Sequence, residues 1–215
     1  MINPSRMTKY DLTRNELEET ILFSVLVAGH NAMSTARALD SFLRQIGWTP
    51  NHKRWKRNSP FECIRRYDSK CGPGTTWNGL EHALKDNGLG CFNMRARTFR
   101  LLVNSNIDLA NCTPQELEVF PGIAEKTSRF FILHTRKNAR VAALDTHMLK
   151  YLNHVGIEAP KATPRGKKYQ KLEADFIALA DKAGMSIADF DLMIWNYYAG
   201  HSEEIKWVYP DKAAA

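Results

Sequence analysis

The sequence has few cysteines, no long apolar run and no apolar leader, and each absence argues against a class of protein. Its 4 cysteines are scattered, with no Cys-x-x-Cys pair and no histidine at ligand spacing, which argues against a zinc site or a disulfide framework. The longest apolar stretch, Ile21 to Ala28, is far too short to cross a bilayer. The first ten residues are polar, unlike a signal peptide. We therefore expect an intracellular protein with free thiols and without a metal, another cofactor or a membrane partner.

The length and charge of the chain allow a compact basic enzyme but do not identify one. Its 215 residues, 44% of them hydrophobic, fit one domain, or one domain built of two lobes, with a sizeable core. The net charge of +7 favours a polyanionic partner, although an ordinary basic soluble protein has the same balance.

The spacing of apolar residues predicts an all-α fold, with nine or ten helices in two lobes that form a single domain over residues 1–215. Helical spacing runs from Leu17 to Ile46 and is interrupted at Gly29-His30-Asn31, which predicts a buried helix followed by an amphipathic one. Further helices are predicted at Phe61–Tyr67, Trp77–Asn87, Arg95–Leu102, Pro114–Val119, Glu125–His134, from Asp145 onward, Tyr169–Ala183 and Ile187–Tyr198. Between them, Trp48–Arg57 is basic and aromatic, a composition that suits either nucleic-acid contact or a solvated loop.

The segment from Thr113 to His134 predicts two helices joined by a tight hairpin. Thr113-Pro114-Gln115-Glu116 carries a capping box with proline at the first helical position. In the following Phe120-Pro121-Gly122-Ile123-Ala124, the glycine permits a turn that comes close to another molecule. Free N–H groups at the next helix start favour a phosphate. An ordinary αα-hairpin has the same pattern.

Lys126 and Asp145 suit attack on a nucleotide sugar. A lysine amine is a nucleophile only when neutral, and burial or a helix start favours the neutral form. A carboxylate beside the sugar stabilises an oxocarbenium-like transition state, and Asp145 can also help to deprotonate the amine. Asp145 in Leu144-Asp145-Thr146-His147 equally fits a plain helix N-cap, and the two roles are compatible.

These motifs resemble the helix-hairpin-helix DNA glycosylases that carry a Gly/Pro-rich hairpin and a catalytic aspartate. The resemblance is clear from Thr113 to Leu152 and fainter at Leu17–Leu43, Met94–Val103 and the final Asp-Leu-x-x-Trp helix, which is similar to archaeal-type 8-oxoguanine glycosylases. It implies a two-lobed helical fold, double-stranded DNA containing a damaged base as the partner, a monomer, and a place at the nucleoid in the cytoplasm. Lysine at the position of Lys126 implies the bifunctional branch, which has both glycosylase and AP-lyase activity.

Two departures from the family pattern concern the hairpin and the metal content. Ala124 replaces the second hairpin glycine, and no cysteine follows Cys112. The iron–sulfur cluster of endonuclease III relatives is therefore not expected.

The remaining candidate residues are grouped by the role that the resemblance and the chemistry suggest. DNA-backbone contacts are expected from the hairpin and from nearby cations, which are Gly122, Ile123, Ala124, Thr127, Arg95, Arg97, Lys137 and Arg140. A flipped base needs an aromatic face and polar groups, for which the candidates are Trp195 with Asp189 or Asp191, and His30 and Asn31. His147 is expected to support Asp145. Each group also has an ordinary structural alternative: the tryptophan can belong to the core, the aspartates can be solvated, and the cations can be surface residues that contact no DNA.

Three hypotheses follow. The first is a glycosylase with AP-lyase activity that removes an oxidised base, with 8-oxoguanine favoured over oxidised pyrimidines. The second is a base-modifying transferase of the phage type, which acts on thymine derivatives in DNA without excision. The third is a non-catalytic helix-hairpin-helix module that only binds DNA.

Overall fold

The computed structural model describes residues 2–49, 58–71 and 79–210. Within these ranges the chain forms α-helices and a short 3-10 turn, Pro4–Arg6, and no strand, which confirms the all-α prediction. The helices are α1 (Arg14–Leu26), α2 (Ala32–Gln45), α3 (Pro60–Lys70), α4 (Leu80–Asp86), α5 (Phe92–Val103), α6 (Pro114–Glu118), α7 (Glu125–Thr135), α8 (Thr146–His154), α9 (Lys167–Ala183) and α10 (Ile187–Tyr198). None of these helices is long and apolar enough to cross a membrane.

Local capping confirms two of the predicted boundaries, whereas α4, α5 and α9 start at Leu80, Phe92 and Lys167 and not at the predicted Trp77, Arg95 and Tyr169. At α6 the backbone N–H of Thr113 donates to Glu116 Oε2 at 2.7 Å, and the backbone N–H of Glu116 donates to Thr113 Oγ1 at 3.3 Å. This reciprocal pair is the predicted capping box. The predicted break between the first two helices is also confirmed, because α2 starts after Asn31, whose side chain accepts from the N–H of Ser34 at 3.0 Å.

The described residues divide into two compact units, one within Met1–Pro4 and Leu12–Ala124 and the other within Ser5–Asp11 and Glu125–Ala215. In the first unit α5 packs against α1, α3 and α4, and α1 is buried along most of its length. Trp48 is buried here, whereas residues 50–57 of the basic aromatic segment lie outside the described residues, as do the first two residues of the predicted Trp77–Asn87 helix.

Arg95 is a structural residue, so its prediction as a phosphate contact was wrong. Its side chain is buried in the first unit, where it donates to the carbonyl oxygens of Gly90 and Leu26 at 2.5 Å each. Buried carbonyl groups need hydrogen-bond donors, and a guanidinium can supply two at once. Arg95 thus joins the end of α1 to the turn before α5.

The second unit is built around α10, which packs against α7, α8 and α9. Its core includes Phe176 and Phe190, together with the buried aromatic rings of Tyr151 and Tyr169. Each tyrosine places its hydroxyl on a segment without regular secondary structure. In the second unit, the hydroxyls of these two buried tyrosines therefore hold non-helical segments against the helices.

Tyr151 holds the C-terminal segment, and we expect its hydroxyl to matter for stability. The hydroxyl donates to Lys206 O at 2.8 Å and accepts from Val208 N–H at 2.9 Å, while the rings of Tyr151 and Trp207 stack at 5.3 Å. Tyr151→Phe removes both hydrogen bonds and should lower the free energy of unfolding by about 1–3 kcal/mol. Urea denaturation measures this loss. Tyr209→Phe, at a side chain 54% exposed, is the control, and equal losses in both variants would contradict the assignment.

Candidate active site

Asp145 is fixed at the start of α8 by the segment before it and by its own cap. The buried residues Ala142 and Leu144 are bridged by Tyr169, whose hydroxyl donates to Ala142 O at 2.7 Å and accepts from Leu144 N–H at 3.1 Å. Asp145 Oδ1 then accepts from the N–H groups of His147 and Met148 at 2.7 and 3.1 Å. The carboxylate therefore lies at the positive end of α8.

Lys126 is the second residue of α7 and has a half-buried side chain. Its Nζ atom lies 4.8 Å from the centre of the Phe130 ring, close enough for a cation–π contact when the amine is charged. Four residues further along α7, His134 packs its ring edge-to-face against Phe130 at 4.9 Å. Lys126, Phe130 and His134 thus form one face of the helix, because residues four apart lie above one another.

Asp191 on α10 is a buried carboxyl that lies against His134 and whose pKa is influenced by the charges of Lys126 and Asp145. Its side chain is 3% exposed, and its Oδ2 atom lies 3.5 Å from Nε2 of His134. Burial raises the pKa of Asp191, and the negative charge of Asp145 acts in the same direction, whereas His134 and Lys126 act against it. Contacts also link Lys126 to Asp191, because Lys126 lies over the Phe130 ring, Phe130 packs against His134, and His134 faces Asp191.

His134 belongs to this set of contacts and was missed by sequence reasoning. It is buried, and its Nδ1 atom lies 2.8 Å from Thr8 Oγ1. Its carbonyl oxygen accepts from the N–H of Lys9 at 3.0 Å. The spacing of Lys126, Phe130 and His134 was a usable signal for a shared helix face. The contact with Thr8 had no signal, because it joins residues far apart in the sequence.

The predicted base-pocket residues fall in both units. In the second unit, Trp195 is half-buried against the core and its ring lies 5.3 Å from His201. In the first unit, His30 and Asn31 are exposed between α1 and α2. The half-buried His147, predicted to support Asp145, stacks on Tyr198 at 5.8 Å and supplies one of the cap N–H groups.

The hairpin turn belongs to the first unit and has a left-handed glycine. Gly122 is exposed with φ of +80°, a conformation that side-chain-bearing residues resist. The hydroxyl of Thr98 on α5 donates to Pro121 O at 2.5 Å, which ties the turn to the helix. Ile123 is buried and Ala124 exposed, while Thr127, in the second unit, is buried.

Comparison with solved structures shows which fold these units form. The chain matches the 8-oxoguanine glycosylase/lyase of Methanocaldococcus jannaschii in complex with a 15-mer DNA containing 8-oxoguanine, over 92% of this chain and 86% of the other, with a TM-score of 0.62 and 19% identity. It matches the 8-oxoguanine DNA glycosylase of Thermotoga maritima over 93% and 86%, with a TM-score of 0.61 and 22% identity. The chain has the fold of the 8-oxoguanine DNA glycosylases. No protein-family model matches the sequence.

On this 8-oxoguanine glycosylase fold, the predicted phosphate-binding cations differ in their surroundings. Arg97 and Lys137 are exposed. Arg140 forms a two-pronged pair with Asp181, with N–O distances of 2.7 and 2.9 Å. The pair is exposed, so water screens it, and a phosphate can compete with the carboxylate for the guanidinium.

Among the residues that the structure describes, no three His, Cys, Asp or Glu side chains cluster as metal ligands would.

We expect Gly122→Ala in this glycosylase fold to weaken DNA binding as well as stability. An added Cβ atom would lie 3.2 Å from the side chain of Met94 and 3.4 Å from Thr98 Oγ1, and the left-handed backbone would be strained. The strain should lower the free energy of unfolding by about 1–2 kcal/mol, and distortion of the turn should raise the Kd for duplex DNA at least about fivefold. Denaturant unfolding and fluorescence anisotropy measure the two effects.

Gly156→Ala is the matched control for this experiment. Gly156 has φ of +91° with no atom within 4 Å of an added Cβ, so it has similar backbone strain far along the chain from the hairpin. We expect a comparable loss of stability with unchanged DNA affinity. Equal DNA affinity of wild type and Gly122→Ala would show that the turn does not bind the phosphate backbone.

Proposed function

We propose that this protein is a DNA glycosylase with AP-lyase activity that releases an oxidised base, with 8-oxoguanine favoured, from duplex DNA. The observation that carries the proposal is the capped carboxylate of Asp145 at the start of α8, together with Lys126 on the face of α7 that reaches the buried Asp191 through Phe130 and His134. These residues would supply a nucleophile and a carboxylate to one site. The fold of the 8-oxoguanine glycosylases supports the substrate class. An enzyme of this kind would work on intracellular DNA, as a monomer on its duplex.

The proposed reaction begins with neutral Lys126. Its Nζ attacks the sugar C1′ as the bond from C1′ to the base breaks, and the base leaves with the bonding electron pair. The sugar ring opens when a proton moves from Nζ to O4′, which leaves a protonated imine between Nζ and C1′. Loss of a proton from C2′ then expels the 3′ phosphate by β-elimination. The strand break and the covalent imine are the two products that distinguish this route.

Asp145 would stabilise the positive charge that develops on the sugar. Both of its cap hydrogen bonds end on Oδ1, and they hold the carboxylate in place for this role. Because a base within a duplex cannot be reached, the target nucleotide must be extruded. We assign Trp195, His30 and Asn31 to the handling of the extruded base.

We assign the contacts with the DNA backbone to the hairpin and the exposed cations. Exposed Gly122 and Ala124 can bring backbone N–H groups to a phosphate, with Ile123 packed beneath them and Thr127 near the start of α7. The cations are Arg97, Lys137 and Arg140. Neutralisation of phosphates by such residues makes affinity fall as salt rises.

The test is incubation with duplexes that carry 8-oxoguanine, thymine glycol, 5-hydroxymethyluracil or an abasic site, followed by mass spectrometry and gel analysis. We expect a free oxidised base, a strand break, and a covalent protein–DNA adduct after borohydride reduction. A heavier base that stays attached to an intact strand would instead favour the transferase hypothesis. Binding without any chemical change on all four duplexes would favour the non-catalytic hypothesis.

A further inference from the structure

The proposed reaction requires Lys126 to lose a proton, and a buried carboxyl near it is still without a role. Asp191 is 3% exposed, and its Oδ1 atom has no hydrogen-bond partner among the residues that the structure describes. A buried polar atom without a partner is costly, so such atoms mark sites of function or of ligand contact. Oδ1 is therefore available to take a hydrogen from a group that enters the site.

His134 holds the other oxygen of this carboxyl. Its Nε2 atom lies 3.5 Å from Asp191 Oδ2, and its Nδ1 atom lies 2.8 Å from the hydroxyl of Thr8. When the hydroxyl donates to Nδ1, the ring hydrogen is on Nε2 and faces Asp191. The edge of Phe130 limits the tilt of the ring. His134 thus holds Oδ2, whereas Oδ1 has no such partner among the residues that the structure describes.

The charged and titratable groups around Asp191 come from three elements. Lys126 and His134 act from α7, Asp145 from the start of α8, and Tyr169 from α9. Burial is the largest influence on Asp191 and raises its pKa, so this carboxyl holds a proton more readily than an exposed one. Asp145 differs from it, because its Oδ1 atom accepts two backbone N–H hydrogen bonds at the start of α8. The two carboxyls are therefore suited to different tasks.

We propose that Asp191, positioned by His134, accepts the proton that Lys126 must lose, while Asp145 acts beside the sugar. The inference rests on the proposed function and differs from the base-pocket role expected for Asp191. The proton moves from the Lys126 ammonium to Asp191 Oδ1, which gives a neutral amine and a neutral acid. The amine attacks C1′, and the departing base takes the proton back from Asp191. The carboxyl therefore begins and ends the step ionised, and no other reactant is needed.

The test is the pH dependence of imine formation with an abasic-site duplex, trapped by borohydride in single-turnover experiments. The wild-type rate should fall at low pH as Asp191 becomes protonated. In Asp191→Asn the amine can lose its proton only to solvent, so the fall should move to the alkaline range. At pH 6 the variant should be about 100-fold slower than wild type, and the gap should close as pH rises. A uniform loss of rate with an unmoved profile would overturn the proposal.

Two further variants separate a proton-accepting role from a structural one. His134→Gln keeps a donor for Asp191 Oδ2, whereas His134→Phe does not, so only the phenylalanine variant should shift the profile towards that of Asp191→Asn. Asp175→Asn, at a half-buried position on α9, is the control and should keep the wild-type profile. If both His134 variants keep the wild-type profile, His134 does not position the carboxyl.

Chemical labelling keeps this test independent of the proposed function. Brief acetylation of the protein without DNA, read out at Lys126 by mass spectrometry across pH, reports when the amine becomes neutral. Asp191→Asn removes a negative charge that favours the ammonium form of Lys126, so it should move the onset of labelling to lower pH by at least one unit, corresponding to a tenfold change in the neutral fraction. A moved onset with no reaction on any duplex would reject the glycosylase and keep the inference. A covalent adduct trapped on DNA, together with an unchanged onset of labelling in Asp191→Asn, would keep the glycosylase and reject the inference about Asp191.

Discussion

Lys126→Gln is expected to abolish the covalent adduct with damaged duplexes and to reduce base release at least about 1,000-fold. An amide nitrogen cannot attack C1′ or form an imine, and the half-buried position at the start of α7 is filled by a side chain of similar length. The measurement is single-turnover base release together with borohydride trapping on the 8-oxoguanine and abasic duplexes.

Lys126→Arg and Lys171→Gln are the comparison variants. Lys126→Arg keeps a positive charge over the Phe130 ring but cannot form an imine, so it should bind DNA and release no base. Lys171→Gln removes an exposed lysine from α9 and should leave the rate unchanged. A trapped adduct in Lys126→Gln would show that another amine is the nucleophile.

Asp145→Asn should slow base release about 100- to 1,000-fold, because the amide lacks the charge that stabilises a cationic sugar. The expected loss is specific to chemistry, since asparagine caps helices about as well as aspartate. The two N–H groups that Oδ1 accepts from, those of His147 and Met148, would keep an acceptor. The Kd for DNA and the helical circular dichroism should therefore stay close to the wild-type values.

Asp145→Ser separates the cap from the charge in a second way. Serine also caps, with a shorter side chain and no charge. If the carboxylate acts only as a cap, both variants should retain most of the rate of base release. If it acts in catalysis, both should lose that rate while melting within a few degrees of wild type. Asn and Ser variants with full activity would remove Asp145 from the mechanism.

Much of the fold was predictable because its signals are local. The break at Gly29-His30-Asn31, the capping box at Thr113 and Glu116, and the cap at Asp145 each depend on residues within one turn. Such signals determine where helices start and stop whatever the tertiary context. The pairing of Lys126 with Asp145 was predicted from the chemistry of an amine and a carboxylate at neighbouring helix starts and from the motif resemblance, and it stays a prediction.

The sequence did not predict which polar residues are buried, because their partners lie far away along the chain. Arg95 lies in a basic helix, yet it donates to Leu26 O, 69 residues earlier. Its spacing of seven residues from the buried Leu102 placed it on the inner face of α5, but the basic composition favoured the surface. The burial of Asp191 and His134 was missed for the same reason. Polar residues of these types are mostly exposed, and the sequence does not show which distant residues will pack against them.

The contact between Thr8 and His134 spans 126 residues, and this has a consequence for how the chain is made and folds. Residues 5–11 are synthesised before the first unit, but they belong with the second unit, which follows it in the sequence. They must wait without their partner until α7 has been made, and the closing of so long a loop carries an entropic cost that slows the step. We therefore expect the contact between His134 and Thr8 to form late in the folding of the second unit. A fragment that starts at Glu125 would lack the peptide that completes it.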